Sequence, residues 1–91
     1  MRFEWDTEKA QKNFARHRVS FDEAATVFGD PLAVTIHDPD HSQEEERFLT
    51  TGVSKRQRSI IVAHTHRESR VRIITARDVT PGERSQYEFG E

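Results

Sequence analysis

The spacing of apolar residues changes near the middle of this chain, and that change constrains the fold more than any other feature. Before Gly29, apolar side chains recur every three or four residues, which is typical of amphipathic helices. After Pro31 they form short runs rich in β-branched residues, which predict strands. Helices and strands that are separated along the chain in this way favour an α+β domain, with the helices packed on one face of a sheet.

The chain opens with the pattern of a short strand followed by a helix. Alternation in residues 2–5 puts Phe3 and Trp5 on one buried face. Asp6 then has the character of an N-cap, and apolar residues at helical spacing predict a helix over about 7–17.

The second helix has the clearest end signals in the sequence. Ser20 and Glu23 have the spacing of a capping box, in which each side chain accepts a hydrogen bond from the other's backbone amide. Gly29 and Pro31 predict where this helix ends.

The sequence after Pro31 predicts an antiparallel meander and a short C-terminal helix. The strands are expected near residues 33–36, 47–53, 60–64 and 71–76. Thr80 as cap, Pro81 at the first position and Glu83 three residues after the cap predict the last helix. Strict alternation in the final strand puts one set of side chains on each face: Arg72, Ile74 and Ala76 on one, and Val71, Ile73, Thr75 and Arg77 on the other.

Length and composition indicate one small domain over residues 1–91. Apolar and charged residues each make up 33% of the chain, so the core is expected to be thin. The sequence has no cysteine, no apolar run of membrane-spanning length and no signal-peptide pattern, and we therefore expect a cytoplasmic protein without a disulfide or thiolate metal site.

Charge is distributed unevenly along the chain. Residues 1–46 carry five Lys or Arg against eleven Asp or Glu, whereas residues 47–91 carry nine against five. Eleven of the fourteen cations are arginine, whose planar guanidinium binds phosphate with two hydrogen bonds. The basic second half is consistent with RNA binding, with a solvated sheet face or with a surface for an acidic partner. The candidate RNA-binding residues in it are Lys55, Arg56, Arg58 and Arg70.

Metal-independent RNA cleavage requires groups that neutralise charge on the phosphate and groups that move protons. His17, at the expected end of the first helix, is either a proton carrier or a cation that caps the helix. His64 and His66 are expected to be polar residues at a strand edge. The loop of His37, Asp38, Asp40 and His41 matches no established metal motif, and turn formation explains its aspartates. No metal or other cofactor is therefore expected.

Taken in order along the chain, these residues resemble the BrnT family of ribonuclease toxins from bacterial toxin–antitoxin systems. The resemblance covers nearly the whole chain and includes residues 3–6, 16–21 and 70–77. The shorter matches are Lys9, Asn13, Glu23-Ala24, Val27-Phe28, Asp30-Pro31, His41-Ser42, Glu45-Glu46-Arg47, Gly52, Ser54, Glu83-Arg84 and Tyr87.

The resemblance implies a RelE-like fold and metal-free RNA cleavage that inhibits translation. It also implies neutralisation by a cognate ribbon-helix-helix antitoxin in a 2:2 complex, which would bind operator DNA only through the antitoxin. Arg47 stands at the arginine of the family's Glu-Arg motif, and Arg77 ends its Ile-Ile-Ser-Ala-Arg strand. These two are the leading catalytic candidates, followed by Arg72, His17 and Tyr87.

Two positions depart from the family pattern. Arg18 stands where a Lys-His-Gly segment has glycine, and glycine suits a left-handed helix end. Thr75 stands where serine is usual and keeps the hydroxyl group. The alternative to an enzyme is a non-catalytic module that uses the same basic sheet to bind nucleic acid or an antitoxin.

Overall fold

The computed structural model describes residues 1–83, which form one five-stranded sheet with two helices packed against it. The α+β class and the predicted order of strand, two helices and meander are confirmed. The elements are β1 (Arg2–Glu4), α1 (Thr7–His17), α2 (Phe21–Thr26), β2 (Val34–His37), β3 (Arg47–Val53), β4 (Ser59–Arg67) and β5 (Arg70–Asp78). Short 3-10 turns at Val27–Gly29 and Pro39–His41 precede and follow β2. No helix among the described residues is long and apolar enough to cross a membrane.

The strand order is β1-β5-β4-β3-β2. The three pairs formed by β2 to β5 are antiparallel, whereas β1 runs parallel to β5 and pairs only with Arg70–Arg72. The edge of β5 beyond Arg72 is therefore open to another element. Helix α1 occupies that position.

The side chain of Asn13 attaches α1 to this open edge. Its Nδ2 donates to the carbonyl of Ala76 at 2.9 Å, and its Oδ1 accepts from the Ala76 amide at 3.1 Å. Nδ2 also donates to the carbonyl of Val19 at 3.0 Å. The buried carboxamide thus satisfies backbone groups that a neighbouring strand would otherwise satisfy, and it holds α1 alongside the sheet rather than wholly on one face.

Both ends of helix α1 are capped by hydrogen bonds. Asp6 Oδ1 accepts from the Lys9 amide at 3.0 Å, as expected of the N-cap. At the other end Arg18 has the left-handed conformation, with φ of 59°, and its amide donates to the carbonyl of Phe14 at 2.8 Å. The arginine therefore keeps the helix end for which glycine is better suited.

Only half of the predicted capping box forms at α2. Ser20 Oγ accepts from the Glu23 amide at 3.0 Å. The Glu23 carboxylate, however, accepts from Ser54 Oγ at 2.6 Å and from two nitrogens of Arg58. Glu23 therefore forms a long-range ion pair with Arg58 instead of the predicted local hydrogen bond with the Ser20 amide. The box at Thr80 and Glu83 is reciprocal, as predicted, and residues 81–83 are helical.

The core lies between the helices and one face of the sheet, here named the core face. Phe3 and Trp5 pack against it, as their alternation predicts. The buried apolar residues of this core are Val19, Phe21, Ala24, Val27, Ile60, Val62, Ile73 and Ala76.

A β-bulge in β5 overturns the predicted facing of its side chains. Ala63 pairs with Thr75 but His64 pairs with Ile73, so Ile74 is the extra residue. The alternation therefore shifts by one position at Ile74. Val71, Ile73 and Ala76 share the core face and are buried, whereas Arg70, Arg72, Thr75 and Arg77 share the opposite face, here named the outer face.

Candidate functional site

An open cleft of about 370 Å³ lies beside the β5 bulge, where α1 reaches the outer face of the sheet. Four cationic residues and a histidine line it, and no carboxylate is among the lining residues that the structure describes. We name it the basic cleft, and its lining residues are Lys9, Lys12, Asn13, Arg16, His17, Arg47, Ile74 and Thr75. Cations concentrated in a cleft without acids produce a positive potential that attracts phosphate.

Helix α1 supplies most of the positive charge. Lys9, Lys12 and Arg16 are three and four residues apart, so they form one stripe along the helix. His17 is the last helical residue and lies at the end of that stripe. Within residues 1–83 the ion pair of this stripe is that of Lys12 with Glu8 at 3.9 Å, in which both side chains are 78% exposed. Such an exposed pair contributes little and leaves Lys12 available to an anion. The hydrogen bond from the Lys9 amide, with a smaller contribution from the Lys9 charge, lowers the pKa of nearby Asp6.

Strand β3 supplies Arg47 from its first residue. The Arg47 amide donates to Ser42 Oγ at 2.9 Å, and Ser42 Oγ donates in turn to the carbonyl of Asp38 at 2.6 Å. The Asp38 amide donates to the Arg47 carbonyl at 2.8 Å. These bonds fix the backbone from which the side chain extends. The Arg47 guanidinium forms no ion pair with any residue in the part of the chain that the structure describes.

Four of the five other arginines proposed from the sequence have carboxylate partners among the described residues. Arg77 donates to both oxygens of Glu83 at 2.9 Å, and this pairing lowers the pKa of Glu83 to about 2. Arg70 and Arg72 each lie 3.2 Å from an oxygen of Glu4 and lower its pKa. The carboxylates of Glu4 and Glu83 thus partly neutralise the charges of these three arginines within the folded chain.

Arg58 has the most buried carboxylate partner of these paired arginines. It donates to both oxygens of Glu23 and, at 2.9 Å, to the backbone carbonyl of Arg18. The Glu23 side chain is only 4% exposed, so the pair ties α2 to the start of β4. These contacts give Arg58 a structural role that does not require RNA.

Sheet register shows which of the predicted catalytic residues lie together. Arg47 pairs with Thr65, and Thr65 pairs with Arg72, so both arginines lie on the outer face in one row across three strands. Arg77 lies on the same face but pairs with Ile61, four positions along β4 from Thr65. The fold therefore brings His17 and Arg47 into one cleft, places Arg72 in the Arg47 row, and separates Arg77 from them.

The remaining candidates lie elsewhere. Lys55 and Arg56 are exposed in the turn after Val53, at the opposite end of β3 from Arg47. Tyr87 lies outside the described residues. Sequence reasoning missed Lys9, Lys12 and Arg16 as site residues, although their helical spacing is visible in the sequence.

The other histidines have structural contacts. His64 was expected at a polar strand edge, but it is 1% exposed and packs between Phe28 and Phe48. Its Nε2 lies 2.7 Å from Thr50 Oγ1, and burial, with the nearby His66, lowers its pKa to about 4. His66 is exposed near the end of β4, as predicted.

The histidines of the acidic loop contact single carboxylates. His37 lies 2.7 Å from Glu46, and His41 lies 3.0 Å from Asp38. Within residues 1–83 no three histidine or acidic side chains are grouped so that they could hold a metal ion.

Comparisons with known proteins agree with the resemblance seen in the sequence. The family described as "Ribonuclease toxin, BrnT, of type II toxin-antitoxin system" matches residues 5–83. No curated protein matches the sequence significantly. A solved structure, the crystal structure of the ribonuclease toxin BrnT of Brucella abortus, matches with a TM-score of 0.65 and 20% sequence identity, over 88% of this chain and 97% of that chain. The structural likeness shows the fold, and the family match extends over most of the sequence. The chain therefore belongs to the BrnT family of ribonuclease toxins of type II toxin–antitoxin systems.

Proposed function

We propose that this toxin cleaves RNA in the basic cleft without a metal ion. The observation that carries the proposal is that the cleft gathers Lys9, Lys12, Arg16 and Arg47 with no carboxylate among its described lining residues, whereas Arg58, Arg70, Arg72 and Arg77 are paired. A site that keeps its cations unneutralised is suited to a ligand that brings negative charge. The phosphodiester backbone of RNA is such a ligand.

The proposed reaction is attack by a ribose 2′-hydroxyl on the adjacent phosphorus. The new bond from the 2′-oxygen to phosphorus forms as the bond to the 5′-oxygen of the next nucleotide breaks, which leaves a 2′,3′-cyclic phosphate and a free 5′-hydroxyl. The 2′-hydroxyl loses a proton and the leaving oxygen gains one. Arg47 is placed to neutralise the phosphoryl oxygens, and the α1 lysines are placed to hold the neighbouring backbone.

His17 is the proposed proton carrier because it is the histidine that lines the basic cleft. Arg72 is proposed to assist Arg47 from the same row of the sheet. Arg77 and Tyr87 remain catalytic candidates, and Lys55, Arg56, Arg58 and Arg70 remain candidate RNA contacts, on the strength of the sequence alone.

The proposed partner is a cognate ribbon-helix-helix antitoxin that forms a 2:2 complex and carries the operator-binding surface. Family membership supports an antitoxin partner and an RNA substrate, and the antitoxin class and stoichiometry follow the resemblance. We propose that the toxin acts in the cytoplasm.

The test compares RNA binding and RNA cleavage by purified wild-type, Arg47→Ala and His17→Ala toxin in excess EDTA. We expect wild type to cleave under these conditions and to leave cyclic phosphate ends. Each variant should lose about 10²- to 10³-fold in cleavage rate while still binding RNA. Arg56→Ala removes the same charge at the far end of β3, from a candidate RNA contact, and serves as the matched control: it should weaken RNA binding but keep the cleavage rate of bound RNA.

Three outcomes would overturn parts of the proposal. Loss of wild-type cleavage in EDTA, with recovery on adding a divalent ion, would show that a metal is required. RNA binding without cleavage, weakened by Arg47→Ala in proportion, would favour the non-catalytic alternative. An equal loss in the cleavage rate of bound RNA for the Arg56→Ala control would place the chemistry outside the basic cleft.

A further inference from the structure

Within residues 1–83, strand β2 forms an exposed edge of the sheet and has β3 as its one strand partner. All four of its residues are exposed, including Val34 at 50% and Ile36 at 57%. On the outer face Ile36 pairs with Leu49, and Val34 pairs with Thr51, two residues before Val53, which ends β3 and is 38% exposed. We name the apolar residues of this group the edge patch. A group of exposed apolar side chains on an edge strand is characteristic of an interaction surface.

In the part of the chain that the structure describes, the backbone of β2 presents unpaired hydrogen-bonding groups along the same edge. The Asp38 amide donates to the Arg47 carbonyl, which fixes one rung of the ladder with β3. Rungs alternate along an antiparallel pair, so Ile36 and Val34 also bond to β3, while the N–H and C=O groups of Thr35 and His37 point away from the sheet. Lysine, proline and bulges commonly protect edge strands, and Val34–His37 contains none of them.

The segment that contains β2 is strongly acidic. Residues 30–46 contain no lysine or arginine, and their six acids are Asp30, Asp38, Asp40, Glu44, Glu45 and Glu46. A second copy of the chain laid along β2 would bring two such segments together, which like-charge repulsion opposes. A basic segment would be attracted to the same place.

We propose that β2 accepts an extended, lysine- or arginine-rich segment of a partner protein as an additional strand. Main-chain bonds to Thr35 and His37 would provide affinity, alternate apolar side chains would cover the edge patch, and the flanking cations would face the acidic segment. In the system described above the partner is the antitoxin. That assignment rests on the proposed function, whereas the strand addition itself does not.

The test uses a fluorescent peptide of alternating valine and threonine with two lysines at each end, and measures its binding to the full chain by anisotropy. An otherwise identical peptide with glutamates at its ends should bind at least about tenfold more weakly, as should the lysine peptide to Ile36→Lys toxin. Hydrogen exchange should show protection of the Thr35 and His37 amides when the lysine peptide is bound.

A matched pair of variants isolates the backbone contribution. Thr35→Pro removes the outward N–H, while Thr35→Val keeps it, and both lose the 2.7 Å contact between the Thr35 and Thr50 hydroxyls. We expect Thr35→Pro to bind the peptide at least about tenfold more weakly than Thr35→Val. Circular dichroism checks that each variant is folded, and the exchange measurement on wild type tests the same edge without any substitution.

Three results would overturn the proposal: equal binding of the two peptides, equal binding by the two Thr35 variants, or no protection at Thr35 and His37. A wild-type dimer that Ile36→Lys converts to monomer would identify a second copy as the occupant instead. RNA cleavage is measured on the same samples. Absent peptide binding with intact cleavage counts against strand addition alone, and absent cleavage with intact peptide binding counts against the proposed function alone.

Discussion

The basic cleft and the Glu23–Arg58 pair use the same kind of side chain in opposite electrostatic surroundings. In the cleft, Arg47 has cations beside it and no ion pair among the described residues, and on its other side it lines an open pocket with Asp40, Glu44 and Glu45. Near the start of β4, Arg58 is held by Glu23, a carboxylate that is nearly buried and that also accepts from Ser54. Arginine content therefore does not distinguish the two regions, whereas the positions of the carboxylates do.

The difference also separates stability from activity. An arginine with a buried carboxylate contributes to the folded state, because its removal leaves a charge without a partner. An arginine in a cleft without acids gains its partner only when an anionic ligand binds. Substitution of Arg58 should therefore lower the free energy of unfolding, whereas substitutions in the basic cleft should lower the rate of RNA cleavage.

The largest expected effect comes from giving the basic cleft the acid that it lacks. Thr75→Glu places a carboxylate among the cations, where it would pair with them and repel phosphate. We expect kcat/KM for RNA cleavage to fall about a hundredfold. Thr75→Gln has nearly the same size and no charge, and it should retain most of the activity. Equal losses in the two variants would show that space, rather than charge, limits the cleft.

The next effect concerns stability at the paired region. Arg58→Met leaves the Glu23 carboxylate without its main partner, and we expect a loss of about 2–3 kcal/mol in the free energy of unfolding. This loss is at or below the loss of stability expected when a fully buried ion pair is broken, because the Arg58 side chain is 31% exposed. Urea denaturation measures it. Arg47→Met is the matched control and should change stability by no more than about 0.5 kcal/mol, and a comparable loss there would remove the distinction between the regions.

The pH dependence of stability should report the same ion pair. The Arg58 hydrogen bond, with a smaller contribution from Ser54, holds the pKa of Glu23 below its ordinary value of 4.5. The stabilisation is therefore complete above pH 4.5 and is lost as the pH falls below it. Urea midpoints measured from about pH 6 to about pH 3 should fall less steeply in Glu23→Gln than in wild type. Identical slopes would mean that other acids, such as Glu83, account for the decline.

The smallest expected effect is at Arg18, whose carbonyl accepts from Arg58. Arg18→Gly relieves the left-handed conformation at the end of α1 but loses the contact of the guanidinium with Phe14, 5.5 Å from the ring centroid. We expect a net stabilisation of about 0.5 kcal/mol. Thermal denaturation measures it, and RNA cleavage should not change because Arg18 does not line the basic cleft. A destabilised variant would show that the arginine side chain contributes more than the backbone strain costs.

Local sequence signals were sufficient to predict the elements. Asp6, Ser20 and Thr80 each accept a backbone hydrogen bond at a helix start, because a capping side chain needs only residues two or three positions away. The change in apolar spacing separated helices from strands for the same reason. Where a distant partner competed, the local prediction was wrong, as for Glu23, which bonds to Arg58 instead of the Ser20 amide.

The fold class, the order of elements, the uneven charge and the family resemblance follow from the amino-acid order alone, because they depend on residues close together in the chain or on the whole ordered set. Which cations share the basic cleft depends instead on how the strands and α1 pack together. The bulge at Ile74 moved Arg72 and Arg77 onto one face, and Asn13 held α1 at the edge of β5, so that the α1 cations reach Arg47. Neither event has a local signature, since each depends on backbone groups that meet only after the strands have paired.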